Sequence, residues 1–141
     1  MSDPLHIRLV LPKVARAELL AVQAVEEIGR RADLSHDTLA EVKLAVVEAC
    51  LNAFEYGAGD VVVDLVAHRD DDAPWLEVEV EDHGPGFSPA KVPRPALESK
   101  LRARRKRGWG LELMRRLMDQ VEISSQPGLT RVRMVRRWGG K

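Results

Sequence analysis

Alternation of apolar and polar residues predicts three strands in the first part of the chain. Residues 5–11 alternate in this way, and Pro12 ends the strand. Residues 60–68 and 75–82 alternate more strongly. The short acidic turn between these two segments predicts that they pair as antiparallel neighbours.

Two helices are predicted between the first strand and the second. Residues 13–33 carry apolar side chains at helical spacing, and a second helix follows over His36–Tyr56. Ser35 is a typical N-cap for that second helix, and glycines at 57 and 59 end it. The apolar stripe of the first helix comprises Val14, Ala17, Ala21 or Val22, Val25 and Ile28.

The last third of the chain predicts an irregular segment, a helix and a hairpin. Residues 83–100 hold four prolines and two glycines, which favours irregular structure. Residues 108–120 predict a third helix, and residues 121–125 and 129–135 predict two paired strands. Pro127-Gly128 between these strands suits the central positions of a type II turn. The inner face of the third helix is expected to carry Leu111, Met114, Leu117 and Met118.

This order of elements predicts an α+β two-layer sandwich. Strands joined by short hairpins form a mainly antiparallel, mixed sheet of about five strands, and the three helices cover one of its faces. A length of 141 residues suits one domain with one core, so residues 1–141 are interpreted as a single domain.

Composition indicates the cellular compartment in which the protein is expected. No apolar run approaches the ~20 residues that span a membrane, and residues 1–11 show no secretory signal. The single cysteine, Cys50, excludes an internal disulfide and fits a reducing environment. We therefore expect a cytoplasmic protein with no membrane association.

The net charge is zero, but the charges are unevenly distributed. Residues 1–90 carry 7 Lys+Arg and 18 Asp+Glu, a net −11, whereas residues 91–141 carry 15 and 4, a net +11. This asymmetry fits a dipolar surface, an anionic ligand near the basic part or charge-matched self-association. Zero net charge and 4% aromatic residues argue against direct binding of nucleic acid.

The second predicted helix carries the first candidate site. Glu48 and Asn52 are four residues apart, so their side chains lie on one face of the helix. A carboxylate and an amide oxygen so placed can hold water and a hard cation such as Mg²⁺, and the carboxylate can accept a proton. The plainer alternative is a solvated stripe, because Glu41 and Glu55 lie on the same face.

A glycine-rich turn follows the strand over residues 75–82. Asp82 begins the segment DHGPG, in which glycines let the backbone approach a ligand closely. An aspartate there can accept a hydrogen bond from an exocyclic amine such as that of adenine. The alternative is an ordinary strand-ending turn, which uses the same residue types.

The third predicted helix opens on Gly108-Trp109-Gly110-Leu111, preceded by Lys106 and Arg107. Backbone N–H groups at a helix N-terminus attract phosphate, and the two cations add charge. The alternative is a simple junction between a loop and a helix. Thr130 in the last hairpin could complete an adenine site if it lies beside Asp82, although threonine is common in strands.

The order and spacing of these motifs resemble the GHKL superfamily, which has the Bergerat ATP-binding fold and a histidine-kinase-like ATPase domain. EACLNA lies on a helix, DHGPG follows a strand, and GWGLELMRRLMD opens a helix before a terminal hairpin. Within the superfamily, LAVVEACLNAFEYG and GWGLELMRRLMDQVEI are most similar to the anti-sigma factor serine/threonine-protein kinases. The resemblance covers residues 5–136.

The resemblance implies roles at the first two motifs. Glu48 corresponds to the general base, Asn52 to the magnesium ligand and Asp82 to the residue that binds adenine. The adenine pocket is completed by Gly84, Gly86 and Thr130.

The resemblance also implies how the phosphates are held. Residues 88–107 correspond to the ATP lid, in which Lys106 or Arg107 is expected to contact the γ-phosphate. The phosphate cradle at the start of the third helix is formed by Gly108, Gly110 and Leu111.

The activity implied is transfer of phosphate from Mg-ATP to a serine of an anti-anti-sigma protein of the STAS type. Phosphorylation would free this chain to sequester a sigma factor, and homodimerisation through the sheet is common in the family. The alternative is a nucleotide-gated module that binds a partner without phosphoryl transfer. A histidine-kinase catalytic domain is disfavoured, because there is no room for a dimerisation helix pair and the four histidines are scattered.

Overall fold

The computed structural model describes residues 3–57, 59–70, 72–83 and 110–139. Within these ranges the chain forms five strands and three helices. In chain order they are β1 (Leu5–Leu11), α1 (Glu18–Arg31), α2 (His36–Tyr56), β2 (Val61–His68), β3 (Trp75–Asp82), α3 (Gly110–Leu117), β4 (Gln120–Gln126) and β5 (Leu129–Arg137).

The five strands form one sheet in the order β1-β2-β3-β5-β4, and all four pairings are antiparallel. Alternate residues of the central strands point to opposite faces, as the period of two requires. One face is lined by fully buried side chains of β2 and β3, including Val63, Leu65, Leu76 and Val78. The described helices contribute buried residues to the same core, so the predicted α+β two-layer arrangement is confirmed.

Helix α1 is shorter than predicted at both ends. The segment after Pro12 forms turns, and Arg16 has a φ of 66°, which a right-handed helix does not allow. The helix therefore begins at Glu18 instead of residue 13, and it ends at Arg31. Val14, expected in the apolar stripe, is 61% exposed, whereas Ala21, Val25 and Ile28 are buried as predicted.

Helix α2 has the predicted bounds, and its caps explain them. The Ser35 side chain accepts a hydrogen bond from the Thr38 backbone N–H at 3.2 Å, which satisfies one free donor of the first turn. At the other end the Gly57 N–H donates to the Ala53 carbonyl oxygen at 2.8 Å. The buried face of the helix comprises Val42, Ala45, Val46, Ala49, Cys50 and Ala53.

Cys50 lies entirely within the core, and burial raises the pKa of its thiol to about 12, with a smaller contribution from the charge of Glu18. A thiol in this environment stays protonated at neutral pH and is a poor nucleophile. Cys50 therefore acts as a small apolar packing residue.

No described helix is both long enough and apolar enough to cross a bilayer.

Helix α3 ends at Leu117, three residues before the predicted end. The Asp119 N–H donates to the Val135 carbonyl oxygen at 2.8 Å, and the Asp119 carboxylate accepts from the Arg137 N–H at 2.6 Å. These bonds draw residue 119 into pairing with β5, so β4 begins at Gln120 and both strands of the hairpin are longer than predicted. Gly128 has a φ of 87°, as the second central position of a type II turn requires.

The face of the sheet opposite the helices is lined by charged pairs. Arg131 Nε lies 2.7 Å from Glu81 Oε1 and 3.1 Å from Glu79 Oε1. Arg133 Nη2 lies 2.9 Å from Glu77 Oε1. Hydrogen bonding to these glutamates raises the pKa of both arginines. The charge asymmetry of the sequence is thus partly matched within the chain, because acidic β3 pairs with basic β5.

Candidate functional site

Three elements, α2, β3 and α3, meet on the helical side of the sheet. The last part of α2, from Glu48 to its C-cap Gly57, rises by about 13 Å. The N-terminal residue of α3 lies against the start of this segment, and the C-terminal end of β3 lies against its last residue. The motifs predicted from separate parts of the chain are therefore arranged along one stretch of α2.

Glu48, Asn52 and Gly110 form the first cluster. An ideal Cβ placed on Gly110 would lie only 2.9 Å from Glu48 Oε2 and 3.7 Å from Asn52 Nδ2. The absence of a side chain at position 110 therefore lets the N-terminus of α3 approach the Glu48 carboxylate closely. The helical spacing of Glu48 and Asn52 places both on the side of α2 that faces this N-terminus.

Asp82 and Gly57 form the second cluster, at the other end of this stretch of α2. Asp82 is only 3% exposed, one of two described polar or charged residues classed as buried. A Cβ on Gly57 would lie 2.8 Å from both Cβ and Cγ of Asp82 and 2.7 Å from the Ala53 carbonyl oxygen. Only glycine at position 57 allows the buried aspartate to sit this close to the end of the helix.

Lys13 supports this second cluster from the loop after β1. Its Nζ donates a hydrogen bond to the Gly57 carbonyl oxygen at 3.0 Å, in a partly buried position. The bond connects residues that are 44 positions apart in the chain, so no local sequence pattern could predict it. Sequence reasoning also missed the packing role of Gly57, which it interpreted only as the end of the helix.

Thr130 lies directly opposite Asp82 in the β3–β5 register, so both side chains project from the helical face of the sheet. On its other side Thr130 pairs with Ser125, and the two hydroxyl oxygens are 2.9 Å apart. The juxtaposition of Asp82 and Thr130 expected from the sequence is therefore present. Ser125 is an additional polar neighbour that the sequence did not single out.

Of the remaining predicted site residues, the structure describes only Leu111. Leu111 lies in the first turn of α3 and packs against the core. The predicted lid over residues 88–107 lies outside the described residues, together with residues 84–86 of the glycine-rich segment after β3. The predicted ligand contacts in these segments, at Gly84, Gly86, Lys106, Arg107 and Gly108, stay predictions.

The donor set of the first cluster fits Mg²⁺, which prefers oxygen ligands and keeps most of its water when bound to proteins. Glu48 supplies a carboxylate and Asn52 an amide oxygen on adjacent turns of one helix. The ranges that the structure describes contain no group of three or more His, Cys, Asp or Glu arranged as a metal cage.

Comparison with known proteins identifies the class to which this fold and site belong. Residues 11–136 match the family described as the histidine kinase-like ATPase domain. The chain therefore belongs to this family, and the resemblance to GHKL proteins is confirmed.

Individual relatives indicate which proteins of the family this chain resembles. Serine-protein kinase RsbW of Oceanobacillus iheyensis is 25% identical over 138 residues, which cover 92% of this chain and 85% of that protein. Serine-protein kinase RsbW of Bacillus mycoides is 27% identical over 126 residues, covering 82% and 76%. The similarity to serine-protein kinases expected from the motifs is thus confirmed.

A solved structure supports the fold independently. The structure of the RsbU and RsbW domains of Rv1364c from Mycobacterium tuberculosis aligns with a TM-score of 0.67 and 20% identity. The alignment covers 99% of this chain and 34% of that longer chain. At this identity the comparison shows a shared fold.

Proposed function

We propose that this protein is an ATP-dependent protein-serine kinase that acts as an anti-sigma factor. The observation that carries the proposal is the contact between the Glu48 carboxylate and the N-terminus of α3 at Gly110. A carboxylate beside a helix N-terminus places a proton acceptor next to a binding site for phosphate. The relatives named serine-protein kinase RsbW support the choice of a protein serine as acceptor.

Adenine recognition is assigned to the cluster around Asp82. Its buried carboxylate accepts a hydrogen bond from the exocyclic amine of adenine, and Thr130 on the neighbouring strand offers a hydroxyl beside it. Gly57 leaves room for the Asp82 side chain at the end of α2, and Lys13 holds the Gly57 carbonyl in place. Gly84 and Gly86 are assigned to the wall of the same pocket.

Phosphate binding is assigned to the N-terminus of α3, of which the structure describes Gly110 and Leu111. Gly108, Leu111, Lys106 and Arg107 complete this proposed cradle, and Asn52 supplies an oxygen ligand for Mg²⁺. When bound, Mg-ATP supplies the phosphoryl group and the cation that offsets its negative charge. The protein's contribution is then positioning and electrostatic complementarity, on which phosphoryl transfer mainly depends.

Glu48 is assigned as the general base of the transfer step. Its carboxylate accepts the proton of a substrate serine as the serine oxygen forms a bond to the γ-phosphorus. The bond between that phosphorus and the bridging oxygen breaks, and ADP leaves with the electron pair. The close approach of Glu48 Oε2 to Gly110 supports this assignment, because a phosphate bound at the N-terminus of α3 would lie near the carboxylate.

The proposed protein substrate is an STAS-type anti-anti-sigma protein, and its phosphorylation would release this chain to sequester a sigma factor. Homodimerisation through the sheet and a cytoplasmic location belong to the same proposal. The competing function is a nucleotide-gated module that binds its partner without phosphoryl transfer. An intact glutamate at position 48 favours the kinase, because a module without transfer has no need of a proton acceptor there.

A labelling experiment tests the proposed activity. The protein is incubated with Mg²⁺, γ-labelled ATP and, one at a time, the STAS-domain proteins encoded in the same genome. We expect one of them to acquire label on a serine, and its Ser→Ala variant at that position to stay unlabelled. Binding of ATP without label on any STAS protein would favour the nucleotide-gated module.

Replacing Gly110 with alanine is expected to lower the rate of phosphoryl transfer with little change in stability. Alanine is the better helix former by about 1 kcal/mol in a helix interior and by less at a first helical residue such as Gly110, so the free energy of unfolding should change little. The new methyl group would meet Glu48 Oε2 at 2.9 Å, and the flexible glutamate side chain would rotate away. We expect the transfer rate to fall about 10-fold or more, since a misplaced base costs that much.

Gly29→Ala is the matched control, because it is also a helical glycine whose new methyl group would meet a flexible side chain, that of Leu39. It lies in α1, and transfer should keep its wild-type rate. A Gly110→Ala protein with full activity would show that Glu48 need not occupy the position seen here.

A further inference from the structure

Arg136 is a charged residue in a position that the sheet pattern assigns to the core. It lies on β5 opposite Leu76, on the same face as the buried residues Val132 and Met134. Its side chain is only 20% exposed. A guanidinium in such a place must find partners, because desolvating it without hydrogen bonds is costly.

All three guanidinium nitrogens of Arg136 are bonded. Nη1 and Nη2 approach the two carboxylate oxygens of Glu41 at 3.4 and 3.3 Å, the paired geometry that arginine forms with carboxylates. Nη1 also donates to the Leu117 carbonyl oxygen, and Nε donates to that of Arg137 at 3.2 Å. One side chain thus joins β5 to α2 and to the end of α3.

The contacts of Arg136 lie at the far end of α3 from the candidate phosphate site. Leu117 is the last residue of α3, and its carbonyl oxygen has no partner within the helix. Gly110, the first residue of α3, lies against Glu48. Gly110 and Leu117 are seven residues apart, as are Glu41 and Glu48. Helix α3 therefore runs antiparallel to α2, with Gly110 close to Glu48 and Leu117 linked to Glu41 through Arg136.

We propose that Arg136 is a positioning residue that holds the N-terminus of α3 against Glu48. The inference rests on the proposed function, because it assigns this N-terminus to phosphate. The end at Gly110 has no side chain of its own to fix it, so the bonds at Leu117 add to the core packing of Leu111 and Met114 in placing the short helix. The positive charge at the C-terminus of α3 also complements the helix dipole.

Arg136→Met tests the proposal by comparing the binding of Mg-ATP and adenosine. Both ligands occupy the adenine end of the site, but only Mg-ATP occupies the phosphate end. We expect the dissociation constant of Mg-ATP to rise about 10-fold, since displacing a binding group weakens only the contacts that it positions. The affinity for adenosine, which lacks phosphates, should change by less than about twofold. Arg136→Lys keeps the charge but not the paired geometry, and its affinity for ATP should be intermediate.

Arg133→Met is the matched control, because Arg133 lies on the same strand and is paired with Glu77, but on the opposite face of the sheet. It should leave both affinities unchanged. Amide hydrogen exchange across Gly110–Leu117 in the ligand-free protein gives a second readout, and Arg136→Met should accelerate it while Arg133→Met does not.

The outcomes separate this inference from the proposed function. If Arg136→Met leaves ATP affinity unchanged, or weakens ATP and adenosine equally, Arg136 is not a positioning residue for the phosphate end. If the wild-type protein binds no ATP, the proposed function fails. Hydrogen exchange then still tests whether Arg136 holds α3 against α2. Unchanged exchange in Arg136→Met would overturn this part of the inference as well.

Discussion

Replacing Asp82 with alanine is expected to weaken ATP binding about 100-fold, which corresponds to about 2.7 kcal/mol. The carboxylate is almost fully buried, so the hydrogen bond that it would accept from adenine is shielded from water. Removing it leaves the adenine amine without a partner inside the pocket. Titration calorimetry with Mg-ATP measures the change directly.

The same substitution should also abolish discrimination between ATP and GTP. Guanine carries a carbonyl oxygen where adenine carries the amine, so the Asp82 carboxylate repels it in the wild-type protein. In Asp82→Ala, ATP affinity falls while GTP affinity stays the same or rises, and the ratio approaches one. Equal loss of both ligands would indicate a damaged pocket instead of a lost base contact.

Glu81→Ala is the matched control for Asp82. It removes a carboxylate from the adjacent residue of the same strand, but that side chain lies on the opposite face and pairs with Arg131. We expect its ATP affinity to stay within about twofold of wild type, because this partly buried ion pair lies on the face of the sheet away from the candidate site. Wild-type ATP affinity in Asp82→Ala would contradict the assignment of adenine to this cluster.

Replacing Glu48 with glutamine is expected to lower the rate of phosphoryl transfer by about 10²–10⁴-fold, the usual contribution of a general base. Glutamine has nearly the same shape but cannot accept the serine proton. ATP affinity should change by less than about threefold, because Asp82 and the helix N-terminus still hold the nucleotide. Single-turnover transfer to the STAS substrate, measured at saturating ATP, isolates this step.

Glu26→Gln controls for the loss of a carboxylate elsewhere. Glu26 lies on α1, where it forms an exposed ion pair with Lys43, and transfer should keep its wild-type rate. Undiminished transfer by Glu48→Gln would show that another group accepts the proton. Loss of ATP binding together with transfer would instead assign Glu48 to phosphate or metal binding.

The candidate site residues could be proposed from the sequence because each motif is local. Ser35 marks the start of α2 through a bond to a residue three positions away, and Glu48 and Asn52 share a face through helical spacing. Asp82 follows from its place at the end of an alternating strand. Such signals involve residues within a few positions of one another, so they are readable without knowing the fold.

The errors in element bounds have the opposite origin. Helix α1 begins late because the chain turns at Arg16, and α3 ends early because residue 119 bonds to β5. In both places the local apolar pattern favoured a longer helix. Tertiary contacts overrode it, since helix propensity is a weak preference compared with packing and strand pairing.

The sequence by itself determined the alternation of strands and helices, the fold class and most of the residues proposed to act on ATP. Only the tertiary structure decided that Gly57 makes room for Asp82, that Lys13 bonds to Gly57, and that Arg136 joins β5 to Glu41. It also decided that glutamates of β3 face arginines of β5. The physical reason is distance along the chain: the Lys13–Gly57 and Glu41–Arg136 pairs are separated by 44 and 95 residues, and only the order of strands in the sheet brings their elements together.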